Sequence, residues 1–422
     1  MRPTSSARAG EGRMTGPVVR RKPPQVEGAF VAKLGPRYGR LWTRSIRAPV
    51  PVCVVARGRQ DRQVRENRSG GRSGARSGAP HRQQHARPAL AGRHVTRRGA
   101  QKASPSRAPG ETALSTLYVT HPSAVEHVVP TGHPERPARM QAVERALEDE
   151  RFAALVRCHA PRAEASVAEL VHPASYVETI VAASPDEGFF QIDGDTLMSP
   201  GSLNTCLHAI GGSNHAVDAV MKGECANAFV AMRPPGHHAE RDRAMGFCLF
   251  NHAAIAVRHA QKAFGATRVA LVDFDVHHGN GSQDIFWADK TVMYASTHQM
   301  PLFPGSGATG ERGDHDTIVN APLKAFDGSE LFREAFEARI LPRLDAFAPD
   351  LIVISAGFDA HKLDPLANIQ LDEADFGWAT RRLMEVADRH AGGRVVSILE
   401  GGYSLDGLAR SVAAHMDALM GR

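Results

Sequence analysis

From residue 114 to the end of the chain, short apolar runs alternate with longer stretches of helical period. The runs at 114–120, 228–232, 269–272, 291–295, 351–355 and 394–399 are mostly unbroken, the pattern of strands buried on both faces of a parallel sheet. Between them, residues 137–149, 200–221, 251–264, 329–347, 373–390 and 405–420 are predicted helices, with further helical turns at 166–170 and 173–183. The first helix opens on Pro137 and sets Met140, Val143 and Leu147 on one face. Strands alternating with helices imply βαβ units and a mainly parallel sheet covered on both sides. No internal repeat and no long linker interrupts residues 117–422, so the expectation is one large three-layer α/β domain.

The run at 269–272 turns abruptly polar, giving Asp273, Asp275 and His277 at every second position. Side chains alternate across a strand, so these three are expected on one side, with Phe274 and Val276 on the other. Gly279-Asn280-Gly281 is expected to end the strand. A lone Asp-x-His reads as a solvated turn, but three such residues in register, followed by His278, point to a metal site. Open α/β sheets place their ligands at this carboxyl edge.

Three more polar clusters follow apolar runs: Arg233-Pro234-Pro235-Gly236-His237-His238, Ser355-Ala356-Gly357-Phe358-Asp359-Ala360-His361 and Glu400-Gly401-Gly402-Tyr403. In a parallel sheet all four clusters converge on one edge. Asp275, His277 and Asp359 would supply three ligands without a cysteine and leave a position for water, the pattern of a catalytic metal site. Zinc leads, with Fe(II), Co(II) and Mn(II) open to so oxygen-rich a set. Paired histidines serve as acid and base only when partners fix their tautomers, and Asp273 and Asn280 are the candidates. Tyr403, on a flexible Gly-Gly hinge, could donate to a developing oxyanion. The assembly reads as metal-assisted hydrolysis of an amide or ester.

Charge divides the chain. Residues 1–110 carry 25 Lys+Arg against 4 Asp+Glu, whereas the remainder carries 26 against 41. The first segment, dominated by Arg, Gly, Ser and Pro, reads as disordered, since it cannot bury enough apolar surface to offset its ordering entropy. Three roles are open to it: a nucleic-acid-binding tail, an organelle-targeting leader, or a stretch outside the working protein, with initiation near Leu117. Five scattered cysteines without a Cys-x-x-Cys pair fit reduced thiols and a cytoplasmic setting. No apolar run approaches the ~20 residues needed to span a bilayer.

The motifs together resemble those of the histone deacetylase family. Thr131-Gly-His-Pro-Glu-Arg-Pro-Ala-Arg-Met140, Arg233-Pro-Pro-Gly-His-His-Ala239, Asp273-Phe-Asp-Val-His-His-Gly-Asn-Gly281, Ser355-Ala-Gly-Phe-Asp-Ala-His361 and Glu400-Gly-Gly-Tyr403 match in order and spacing over residues 117–422. Asn280, where class I members carry Asp, points to the class II branch with its bacterial deacetylase-like and acetylpolyamine amidohydrolases. The resemblance implies an arginase-like fold and one zinc per chain held by Asp275, His277 and Asp359. It pairs His237 with Asp273 and His238 with Asn280, making His238 the base towards zinc-bound water and then the acid towards the leaving amine. Tyr403 would stabilise the oxyanion, and because this Tyr is retained an active deacetylase is expected.

The resemblance further implies a narrow tunnel walled by Phe247 and Phe303, with Gly246 and Gly402 beside the substrate. Flat apolar walls suit the methylene stem of an acylated lysine or polyamine. A structural K⁺ or Na⁺ would lie near Asp273, Asp275, His277, Ser296 and Thr297. Asp195 falls in a segment matching the family's rim, and with Asp186 and Glu187 it is a candidate for attracting a cationic polyamine. The partners implied are acetylated lysine peptides or acetylpolyamines, with nucleic acid only through the basic segment, no membrane, and homo-oligomer formation open.

Gly305-Ser-Gly307-Ala-Thr-Gly310 spells Gly-x-Gly-x-x-Gly, but a dinucleotide fingerprint needs a strand before it and a helix after it, and neither is expected here. No nucleotide cofactor is expected. Two competing classes are a catalytically silent acyl-lysine-binding module with a nucleic-acid-binding tail, and a binuclear arginase-like hydrolase, which needs additional carboxylate ligands.

Overall fold

A computed structural model describes residues 115–422, and the expectation of disorder at 1–110 lies outside the described residues. Ten strands are numbered in chain order: β1 Thr116–Thr120, β2 Val156–His159, β3 Phe190–Gln191, β4 Leu197–Met198, β5 Asn227–Val230, β6 Val269–Asp273, β7 Val292–Gln299, β8 Ile318–Leu323, β9 Leu351–Ala356 and β10 Val395–Leu399. Eight of them form one sheet in the order β2-β1-β5-β10-β9-β6-β7-β8. Every pairing in it is parallel. β3 and β4 form a separate antiparallel hairpin. The α/β class expected from the apolar runs is the class observed. The four polar clusters follow β5, β10, β9 and β6, which are adjacent at the centre of the sheet, so the clusters share one edge.

The helices are α1 Ala138–Ala146, α2 Ala174–Ala182, α3 Ser202–Met221, α4 His252–Phe264, α5 Asn280–Phe286, α6 Ser329–Ala335, α7 Leu341–Phe347, α8 Glu373–His390 and α9 Leu405–Leu419. α1, α8 and α9 pack together, as do α3 and α4, and the two groups cover the sheet. β6 and β9 are buried along their whole length, which is why their sequences carry no alternation. Helix starts follow their side chains: Asn251 accepts from the Ala254 N–H, and Asp372 forms a capping box with Asp375. No described helix is long and apolar enough to cross a membrane.

Several boundaries differ from expectation. The stretch expected as one helix over 329–347 is broken by a π-helical turn, Phe336–Ile340, just before Pro342. Pro342 has no N–H and crowds the carbonyl four residues back, so an uninterrupted α-helix is disfavoured there. Gly279-Asn280-Gly281 was expected only to end a strand, but it also begins α5. β8 was not expected at all; it contains Pro322, which an edge strand tolerates because one side needs no ladder bond.

Candidate metal centre and its histidine pair

β6 ends at Asp273, so Asp275 and His277 stand on a bend beyond the strand and not in register on it. Carboxylates collect the freed N–H groups. Asp273 Oδ1 accepts from Asp275 N at 3.1 Å, Asp275 Oδ1 from His277 N at 2.9 Å, and Asp359 Oδ1 from Val276 N at 2.8 Å. Asp273, the last residue of β6, meets His237, and the bend brings Asp275 and His277 against Asp359.

His277 Nδ1 lies 3.2 Å from Asp275 Oδ1 and 3.1 Å from Asp359 Oδ2. One ligand atom from each of the three residues falls within 4.8 Å of the others, and all three residues are buried. Burial alone would lower the His277 pKa, but Asp275 and Asp359 hold it up, to about 10. Burial pushes the Asp359 carboxyl up to about 7, with Asp275 adding to the effect. Two desolvated carboxylates converging on one imidazole call for a cation. The donor set, two oxygens and one nitrogen with no sulfur, fits zinc or a neighbouring divalent transition metal. Space is kept by glycine: a Cβ on Gly357 would lie 2.0 Å from Asp275 Oδ2.

His237 and His238 stand beside this set with ring centroids 4.0 Å apart. Glu400 fixes their backbone, its Oε2 accepting from Gly236 N at 2.6 Å and His237 N at 3.1 Å. His237 Nδ1 is 2.9 Å from Asp273 Oδ2, which sets the proton on Nδ1. Burial opposes charge on His237, but Asp273 and Asp275 outweigh it and raise the pKa to about 10. His238 Nδ1 is 2.8 Å from Asn280 Oδ1. Asn280 Nδ2 donates to Glu240 Oε1 at 2.7 Å, so its oxygen must face His238, and His238 carries its proton on Nδ1. Nε2 of His238 is thereby left with its lone pair. Burial, then His237 and His277, hold the His238 pKa well below the usual range.

Phe247 and Phe303 come to the histidines by different routes. Phe247 has φ 68°, a left-handed backbone that is costly for an aromatic residue. Its N–H donates to Thr196 Oγ1 at 3.0 Å, and the Gly246 N–H donates to Asp195 Oδ1 at 3.1 Å. Asp195 therefore braces the wall from the β3–β4 hairpin. A Cβ on Gly246 would lie 2.5 Å from the His238 ring, so the close approach of that ring requires glycine here. Phe303 stands edge-on to His238 at 5.1 Å and to His277 at 6.3 Å.

The Gly-Gly segment before Tyr403 is clamped, unlike the flexible hinge expected. Arg139 Nε donates to Gly402 O at 2.6 Å, and its guanidinium lies 4.9 Å from the Tyr403 ring centroid. Asp364 Oδ2 accepts from Tyr403 N at 2.7 Å and Ser404 N at 3.0 Å. Gly401 N donates to Asp275 Oδ2 at 2.8 Å, tying the segment to the metal set. Burial first, then Asp359 and Asp275, hold the Tyr403 hydroxyl well above its ordinary pKa despite Arg139, so it stays a donor.

Ser296 and Thr297 lie on β7, beside β6. Ser296 Oγ is 2.9 Å from His298 Nδ1, whereas the buried Thr297 Oγ1 has no partner among the described residues. Asp186 and Glu187 are exposed on the segment leading to the hairpin. Sequence reasoning assigned no role to Glu240, Asp364 or the Arg139–Glu135–Arg233 cluster. The one available signal was Glu135 four residues before Arg139, a helical ion-pair spacing that here closes at 3.0 Å.

Residues 133–419 match the histone deacetylase domain family. The chain is 39% identical to a histone deacetylase-like amidohydrolase of Pseudomonas aeruginosa, over 65% of this chain and 73% of that protein. It is 38% identical to a probable deacetylase of Archaeoglobus fulgidus, over 70% of this chain and 83% of that protein. Among solved structures it resembles the HDA15 HD domain, with a TM-score of 0.70 and 34% identity, covering 73% of this chain and 89% of that one.

Proposed function

The chain belongs to the histone deacetylase family, and from that premise we propose that residues 117–422 are the catalytic domain of a zinc-dependent amidohydrolase that releases acetyl or related acyl groups from acyl-lysine. The observation that carries the proposal is the buried Asp275–His277–Asp359 set beside a histidine whose Nε2 lone pair is fixed by its partners. Asp275, His277 and Asp359 would hold the ion, with Fe(II) or Co(II) as alternatives. A divalent cation there acidifies a water and polarises the acyl carbonyl.

The chain's own groups supply the rest. His238 Nε2 takes a proton from the attacking water and returns it to the departing amine nitrogen. His237, held by Asp273, presents a fixed positive charge as negative charge builds on the acyl carbon's oxygen. The Tyr403 hydroxyl donates to that oxyanion. Phe247 and Phe303 flank the methylene stem and exclude water from it. The buried Thr297 hydroxyl, without a partner among the described residues, supports a K⁺ or Na⁺ beside Ser296 and the Asp273–His277 bend.

Acyl-lysine is placed ahead of acylpolyamine because Asp195, the acidic candidate at the rim, is engaged by Gly246 and Thr196. Asp186 and Glu187, exposed before the hairpin, support the polyamine reading. A cytoplasmic location belongs to the same proposal. The test is acetate release from acetyl-lysine peptide and from acetylputrescine after chelation and reloading with zinc, iron(II) or cobalt(II). Activity lost on chelation and restored by metal is expected, with the peptide preferred. Turnover unaffected by thorough chelation would sink the metal assignment, and faster turnover of acetylputrescine would move the substrate to the polyamine branch.

A further inference from the structure

The Gly305–Gly310 loop, which mimics a nucleotide fingerprint, is filled by an anion from its own chain. Glu311 Oε2 accepts from Gly307 N at 2.9 Å, and Glu311 Oε1 from Ala308 N at 3.1 Å. Successive N–H groups turned to one side form a concavity suited to a negative group. Here a carboxylate occupies it. Gln283 Nε2, on α5, donates to the same Glu311 Oε2 at 2.7 Å, and Asn320 Nδ2, on β8, donates to Gln283 Oε1 at 2.8 Å.

The network reaches the histidine that the hydrolytic chemistry leaves unused. His278 Nε2 is 3.1 Å from Gln283 Oε1, an acceptor fixed by Asn320, so the His278 proton sits on Nε2. His278 Nδ1 then accepts from the Ser306 hydroxyl at 2.8 Å. His298 Nε2 donates to Gly307 O at 2.9 Å. Gly307 has φ 93°, and a Cβ there would lie 2.3 Å from His298 Nε2, so the loop can rest against these rings only with glycine. Four residues upstream of Gly307 stands Phe303, 39% exposed, its ring meeting those of His238 and His277 edge-on. So exposed a ring does not fix its own place, and the loop must.

We propose that Glu311 is a positioning residue: through Gly307, Ala308 and the Ser306–His278 contact it sets the Phe303 wall and thereby the fit of the acyl-bearing stem. This rests on the deacetylase reading for its substrate, though the brace itself does not. α5 then serves both sides of the site, since Asn280 at its start orients His238 and Gln283, one turn on, anchors the opposite wall.

The test is Glu311→Gln in the full chain. The amide must turn its NH₂ towards one of the donors, so one loop N–H loses its acceptor. The KM for acetyl-lysine peptide is expected to rise about tenfold with kcat changed less than about threefold. In a Phe303→Ala background the same substitution is expected to change KM less than about twofold, because the wall it positions is gone. Ser306→Ala, a milder break, should raise KM by about twofold. Amide exchange over residues 302–311, followed by mass spectrometry, should quicken about tenfold in Glu311→Gln whether or not substrate turns over. Unchanged exchange, or an equal KM rise without Phe303, would overturn the proposal. Wild-type protein that turns over no acyl-lysine would instead sink the deacetylase reading, and the exchange arm would still judge the brace.

Discussion

Two histidines, adjacent in sequence and 4.0 Å apart, are driven in opposite directions. His237 faces the Asp273 carboxylate and is held charged, its pKa raised to about 10 after burial is overcome. His238 faces the Asn280 amide and is held neutral, its pKa well below the usual range through burial and then its neighbours His237 and His277. Both are buried, so burial does not separate them; the partner does. One carboxylate replaced by an amide converts a fixed cation into a base with a free lone pair.

The largest expected effect that sharpens this contrast is on kcat. His238→Ala should lower kcat by about 10³-fold or more, as loss of a general base does, and His237→Ala by about 10²-fold. Initial rates at saturating substrate would measure both, and equal losses would erase the distinction of roles. A smaller effect comes from exchanging the partners. Asn280→Asp adds negative charge beside His238 and favours its protonated form, raising its pKa. The base is then present only at higher pH, so the acid limb of kcat/KM should move up by about one unit. A limb that stays in place would mean that another group sets it.

The smallest effect is on stability and isolates burial. His415 packs its ring behind the metal set, against Phe274 and Phe358, and among the described residues its ring nitrogens meet the Thr380 and Ser397 hydroxyls; burial lowers its pKa to about 3. Its folded pKa lies below the unfolded value near ~6.5, so its contribution is complete above that value and is lost as pH falls towards 3. Between pH 6.5 and 4.5 the loss should be roughly 2–3 kcal/mol. Denaturant unfolding across this range would show a shallower slope for His415→Gln. An equal slope would assign the acid loss to other groups.

The sequence made the convergence of the site visible, because Asp275, Asp359, His237 and Tyr403 each follow a run apolar enough to mark a buried strand. It could not show the groups that hold them. Glu240, Glu400 and Asp364 act on residues 40, 163 and 39 positions away. Nothing local distinguishes such a carboxylate from a solvated one. β2 and β8 were illegible for a different reason: both lie at sheet edges, where Arg157 and Pro322 are tolerated and the apolar pattern fades. The Asp273–His277 bend misled strand reasoning because alternation along the sequence does not reveal which N–H groups a carboxylate will capture. The flanks of the Gly-x-Gly-x-x-Gly loop argue against a nucleotide fingerprint, but they do not announce that Glu311, next to it in the chain, supplies its anion.

On the proposed function, the buried metal set, His238 and Tyr403 form one hydrolytic unit. Its most direct test is acetate release from an acetyl-lysine peptide by the zinc-loaded full chain, beside Tyr403→Phe with matched metal content. Turnover by the wild type, falling about 10²-fold or more in the variant, is the expected result. Equal rates in the two proteins, or no turnover by the wild type with any of the three metals, would contradict it and favour an acyl-lysine-binding module.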